Sequence, residues 1–79
     1  HHQTLELARQ SLIADPVDRR DFTWVTFPLE SKKLPDAKVL IRKFHDDLLD
    51  LLDENAKPDE VYRMAIQLFP LTRRPKGKV

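Results

Sequence analysis

Aspartates recur along one stretch of the chain at spacings of three and four residues, which place side chains on one side of a helix. They are Asp46, Asp47, Asp50 and Asp53. Divalent cations prefer carboxylate ligands, so this run is a candidate cation site. Calcium loops, however, hold their ligands on a loop with a glycine turn, and this run has neither. A solvated acidic face is the favoured interpretation, and we predict no metal site.

His45 is the second candidate for chemistry, because it stands next to Asp46 and Asp47. A histidine paired with a carboxylate can act as a general acid or base. No nucleophile, second base or glycine-rich phosphate loop accompanies it, and the chain has one glycine and no cysteine. We therefore interpret His45 as a surface histidine. The sequence predicts no enzyme, no catalytic residue and no cofactor.

Basic residues gather in two places. Arg19 and Arg20 lie in a connector and could bind an anion, although such a pair more often serves solubility. Residues 73–79 form a basic tail that we predict to be disordered. Its candidate phosphate contacts are Arg73, Arg74, Lys76 and Lys78. The chain before the tail is net acidic, whereas nucleic-acid-binding domains usually carry a basic face.

Truncation after Thr72 is expected to leave the thermal unfolding midpoint nearly unchanged, because the tail has one apolar residue, Val79, and no periodicity. Any affinity of the chain for DNA should fall on truncation and should fall steeply with salt, since it would depend on phosphate contacts. Unfolding curves and salt titrations on both chains measure these effects. Tight, salt-insensitive DNA binding by the shortened chain would contradict a DNA-binding role for the tail.

Helical spacing of apolar residues predicts two helices. The first runs from Thr4 to Ala14 and ends at Asp15-Pro16, because the residue before a proline disfavours the helical conformation. Ser31 can cap the second, Pro35 fits its first turn, and residues 55–58 stop it. A broad apolar stripe on the second helix is predicted to be the core; it comprises Leu34, Ala37, Leu40, Ile41, Phe44, Leu48, Leu51 and Leu52.

Two runs rich in aromatic and β-branched residues, 22–29 and 61–71, predict strands. Both runs end in the same tripeptide, Phe-Pro-Leu. Met64, Ile66 and Leu68 alternate with polar residues, and we predict that Phe44 is buried against Met64 or Ile66. Residues 1–72 are thus predicted to form one α+β domain. Its αβαβ order would pack two helices on a small two-stranded sheet, which a dimer partner could extend.

Trp24 lies on the first predicted strand, whose two faces are both partly apolar. A two-layer domain of this size covers only one of them. The Trp24 face is therefore a candidate interface with something outside these residues, although the first helix could equally fold over it. A role in stacking on nucleic-acid bases is less favoured, because no basic residue accompanies Trp24 in the strand.

The second helix carries its charges in the order opposite to the one the helix dipole favours. Its first half is basic and its second half acidic, although acids are favoured at the start by about 0.3–1 kcal/mol per charge. An antiparallel neighbour with the same helix would place each basic half against an acidic half. We therefore predict that Trp24, Arg42, Lys43, Asp46 and Asp47 form an interface. The expected partner is a second copy or the N-terminal part of the chain's own protein.

The size of the chain also points to a partner. A chain of 79 residues buries only about 60–65% of its unfolded surface, and the absence of cysteine excludes disulfides. No run of about 20 apolar residues and no signal peptide are visible, so we expect a cytoplasmic protein without membrane contact. Helical periodicity begins at once without an initiator Met, which suggests a fragment of a longer protein.

Two stretches resemble the C-terminal end of a bacterial family catalogued as domain of unknown function 4423. They are Arg20-Asp21-Phe22-Thr23 and residues 61–72, of which 66–72 are the most specific part. The resemblance runs from the first helix to about Thr72 and leaves the tail outside. Members of this family look like cytoplasmic regulators with an N-terminal helix-turn-helix followed by this αβαβ segment.

The resemblance brings no catalytic residue, cofactor or ligand with it. It implies a non-enzymatic C-terminal dimerisation or regulatory domain of a bacterial transcriptional regulator. DNA would then be bound only through the helix-turn-helix, which lies outside these residues. The alternative is an auxiliary nucleic-acid-binding module that uses the basic tail.

Overall fold

The computed structural model describes residues 2–72, and within this range the regular elements are helical. Helix α1 spans His2–Ala14 and helix α2 spans Leu34–Asp53. Short 3-10 turns occupy Val17–Arg19 and Ser31–Lys33. Two segments without regular secondary structure complete the described chain. We name residues 20–30, between the helices, the first arm and residues 56–70, after α2, the second arm.

Both helices end where local signals predict. α1 stops before Asp15-Pro16, and the backbone N–H of Asp15 makes the last helical bond, 2.9 Å to the Ser11 carbonyl. α2 stops at Asp53, after which Asn55 has φ of 53°. Asparagine tolerates this left-handed conformation better than most residues do, and it commonly ends helices there. Asp15-Pro16 and Asn55 thus mark the ends of α1 and α2.

The start of α2 differs in detail from the prediction. Pro35 does lie in its first turn. Ser31, however, is the first residue of the preceding 3-10 turn and not a cap of α2. The residue at the cap position is Lys33, whose side chain makes no capping hydrogen bond. The chain thus enters α2 through a turn that is already helical, which takes the place of a side-chain cap.

The predicted αβαβ fold with a two-stranded sheet is wrong. Residues 22–29 and 61–71 contain no strand in the described chain, and no backbone ladder joins the two arms. Their residue types favour an extended backbone, but a sheet also needs a neighbouring edge that supplies hydrogen bonds. A two-stranded sheet alone is barely stable in water. The second arm instead contacts the rest of the chain through side chains, as described below.

Without a sheet, the apolar stripe of α2 has no layer to pack against. No residue between 2 and 72 is fully buried, and Phe44 is 52% exposed, so its predicted burial against Met64 or Ile66 is wrong. Part of the stripe is half-buried, namely Leu34, Ala37, Ile41 and Leu48. The Cα radius of gyration is 16.4 Å, against about 12 Å for a compact chain of this length. The described chain is therefore an open arrangement.

Neither α1 nor α2 combines the length and apolarity needed to cross a bilayer, and they are the only α-helices in the described range.

Candidate interaction surface

Three residues join the second arm to the turn that follows α1. We call this turn, residues 15–20, the corner. The Tyr62 hydroxyl donates a hydrogen bond of 2.9 Å to the carbonyl oxygen of Arg19. The guanidinium of Arg19 forms an ion pair with the Glu60 carboxylate. The pKa of Arg19 is raised, first by Tyr62 and then by the negative charge of Glu60. We call Arg19, Glu60 and Tyr62 the clasp.

Further polar contacts stiffen the same corner. Arg63 Nη1 donates to Thr4 Oγ1 over 3.2 Å, which ties the second arm to α1 itself. Arg20 Nε donates to the Asp15 carbonyl over 2.9 Å, and its guanidinium lies 5.6 Å from the centre of the Phe22 ring. That distance allows a cation–π attraction. Arg19 and Arg20, which the sequence suggested as anion ligands or solubilising groups, therefore serve as ties within the chain.

A groove of about 720 Å³ lies between α1 and the second arm. Its α1 wall includes Thr4, Ala8 and Ser11, which are the half-buried residues of that helix. Leu5 and Leu7 also line the groove, although each is 48% exposed. The α1 wall of the groove therefore combines small, half-buried side chains with partly exposed leucines.

Replacing Tyr62 with phenylalanine tests the clasp, since it removes only the hydroxyl that reaches the Arg19 carbonyl. We expect the free energy of unfolding to fall by about 1 kcal/mol, the usual contribution of such a hydrogen bond. Hydrogen exchange should also become faster around residues 58–64. The matched control is Thr26→Val, which removes a hydroxyl from the first arm that makes no hydrogen bond in the described chain. Equal stability of Tyr62→Phe and the unmodified chain would contradict the clasp.

The residues predicted to form an interface lie on two elements. Trp24 stands on the first arm and is 86% exposed. On α2, Lys43 Nζ and Asp47 Oδ2 are 2.6 Å apart, and this hydrogen bond raises the pKa of Lys43. No ion pair joins Arg42 to Asp46 within residues 2–72. The basic residues predicted to contact phosphates, Arg73, Arg74, Lys76 and Lys78, lie outside the described residues.

The acidic run and His45 show no arrangement for chemistry. No three His, Asp or Glu side chains of the described range stand close enough to hold a metal ion. The Nε2 atom of His45 is buried without a hydrogen-bond partner in that range, so it does not bond Asp46 or Asp47. His45 is half-buried, which differs from the predicted surface position. The four aspartates lie on the exposed surface of α2.

Large apolar side chains cover much of the exposed surface. In the arms, Val61 is 99% exposed and Trp24 86%. On α2, Leu40, Leu51 and Leu52 are all more than 60% exposed. Monomeric proteins rarely expose extended apolar areas unless a partner covers them. Within residues 2–72, this exposed apolar surface extends over both helices and both arms.

Comparison with known families agrees with the resemblance seen in the residues. The sequence profile described as Domain of unknown function (DUF4423) matches residues 1–71, and the chain belongs to this family. No curated protein and no solved structure matches the chain significantly. The two stretches that carry the resemblance, residues 20–23 and 61–72, both contribute to the corner and groove described above.

Proposed function

We propose that this chain is a non-enzymatic C-terminal dimerisation or regulatory domain of a cytoplasmic bacterial transcriptional regulator. The DNA-reading element would be a helix-turn-helix outside these residues. Two lines of support meet here. The resemblance of residues 20–23 and 61–72 to helix-turn-helix regulators suggests the context, and the exposed apolar surface suggests the role.

One observation carries the proposal: nothing in residues 2–72 is fully buried, although the chain is rich in large apolar side chains. Burying apolar surface contributes roughly 25 cal/mol per Å² and is the main favourable term in folding. A chain that forms helices but leaves its apolar surface in water gains little free energy from apolar burial as a monomer. A partner that covers the surface would supply it.

A second copy is the partner we favour over another part of the same protein. Most soluble oligomers are symmetric homo-oligomers, with two-fold dimers the commonest. The reversed charge order of α2 is self-complementary when two copies run antiparallel. Dimerisation also suits a regulator, because helix-turn-helix proteins commonly bind two DNA half-sites as a dimer.

Sedimentation equilibrium on the 79-residue chain tests the proposal directly. We expect self-association at tens of micromolar, weakened by salt because exposed ion pairs are screened. A fusion tests the context: residues 1–72 joined to a monomeric helix-turn-helix domain should restore binding to a two-half-site operator. A chain that remains monomeric at millimolar concentration and low salt would contradict the proposal.

A further inference from the structure

We propose that two copies associate through α2, antiparallel, about a two-fold axis that passes beside Phe44. This inference rests on the proposed dimerisation and names its interface. Two independent patterns on α2 share one centre, the apolar spacing and the change in charge sign. Phe44 lies at the midpoint of the helix, which spans Leu34–Asp53 and is about 30 Å long.

The first pattern is the apolar spacing, which is nearly the same in both directions from Phe44. Ala37 and Leu51 each stand seven residues away, and Leu40 and Leu48 each stand four residues away. In an antiparallel pair centred on Phe44, Ala37 would therefore face the partner's Leu51, and Leu40 the partner's Leu48. A small residue opposite a large one, with leucine opposite leucine, fills such a seam without overlap.

Exposure shows which side of the stripe is open to a second copy. Leu40, Phe44 and Leu51 are 67%, 52% and 66% exposed. Leu34, Ile41 and His45, on the neighbouring side of the helix, are half-buried. The open side carries Leu40, Phe44 and Leu51, whereas their proposed partners Ala37 and Leu48 are half-buried. The proposed interface therefore lies at the border between the open and the half-buried side of the stripe.

The second pattern is the charge sign, which changes between Lys43 and Asp46, around the same centre. Successive residues of an α-helix are about 100° apart, so Lys43 and Asp47 lie about 100° and 60° from Phe44 on the same flank. The partner's Asp47 would then lie beside Lys43. Because Lys43 already pairs with Asp47 of its own chain, the two copies together would form a cluster of alternating charges.

Arg42 and Asp46 have a different position, although the sequence grouped them with Lys43 and Asp47. Each stands two residues from Phe44, which places it about 160° around the helix on the far face. They therefore cannot reach the partner across this seam. The difference supplies a matched control, because Arg42 and Lys43 are adjacent cations with opposite expected importance.

Cysteine cross-linking tests the geometry cleanly, since the chain contains no cysteine of its own. Under mild oxidation, Phe44→Cys should form a disulfide between copies. Leu40→Cys and Leu48→Cys should each fail alone but cross-link when mixed. Asp46→Cys, on the far face, should not cross-link. Cross-linking of Leu40→Cys with itself would indicate parallel helices and overturn the proposal.

Charge reversal gives a second readout that does not depend on oxidation. At low salt, Lys43→Glu should raise the dimer dissociation constant about tenfold, and adding Asp47→Lys to the same chain should restore it. Arg42→Glu should change the constant less than about threefold. An equal effect of Arg42→Glu and Lys43→Glu would contradict the proposed α2–α2 interface.

The outcomes separate this inference from the function on which it rests. If the chain dimerises but the Leu40→Cys and Leu48→Cys chains do not cross-link, the proposed function stands and the α2 pairing is contradicted. If the chain never dimerises, both proposals are contradicted. Circular dichroism of each variant confirms that α1 and α2 persist, so that a missing cross-link is not mistaken for unfolding.

Discussion

Phe44→Asp is expected to abolish self-association of the chain at micromolar concentration. Central aromatic residues in interfaces typically contribute 2 kcal/mol or more, so removing one should weaken binding by roughly a factor of 30 or more. Both copies carry the change, and each aspartate would have to leave water without a partner, which adds a desolvation cost. Sedimentation equilibrium across a wide concentration range measures the loss.

Val39→Asp is the matched control for this substitution. Val39 lies on the same helix and is 69% exposed, compared with 52% for Phe44. It stands five residues from Phe44 and therefore about 140° around the helix, away from the proposed seam. Its replacement should leave the dissociation constant nearly unchanged. A Phe44→Asp chain that dimerises as tightly as Val39→Asp would show that the seam lies elsewhere.

The thermal unfolding midpoint is expected to rise strongly with protein concentration. If stability comes from association, raising the free partner to about 100 times the dissociation constant adds about 2.7 kcal/mol. A domain of 60–100 residues shifts by about 4–8 °C per kcal/mol, so the midpoint should rise by about 10–20 °C. Circular dichroism melts, from low to high micromolar concentration, measure this shift.

The Phe44→Asp chain provides the control for concentration dependence. Its helices should melt at a midpoint that does not change with concentration, because it cannot gain from association. A midpoint of the unmodified chain that is equally independent of concentration would show that one copy is stable alone. The exposed apolar surface would then need a partner of another kind.

The helices could be predicted because their signals are local. The period of apolar residues locates them, and Asp15-Pro16 and Asn55 mark their ends with preferences that depend on adjacent residues only. The sheet was wrongly predicted because strand pairing is not local. Residue types such as those of 22–29 favour an extended backbone, but nothing in them says which edge supplies the hydrogen bonds. A preference for an extended backbone therefore does not by itself predict a sheet.

The clasp was missed for a related reason. It joins Arg19 to Glu60 and Tyr62 across more than forty residues, and no motif marks such a distant pair. The groove was missed because it lies between α1 and a distant part of the chain, so no periodicity within either segment marks it. The only signal that could have suggested this corner was the family resemblance, since both of its stretches meet there.

The distance along the chain between the ends of the clasp has a consequence for evolution by insertion and deletion. Closing a loop costs entropy that grows only with the logarithm of its length, so even a doubling adds only about 0.6 kcal/mol. The loop closed by the clasp contains the first arm, α2 and the turn at Asn55. Family members should therefore tolerate length changes in the first arm or near residues 55–58 while keeping the corner intact. Length changes between Glu60 and Arg63 should be rare, because they would change the spacing of the three residues that contact Arg19 and Thr4.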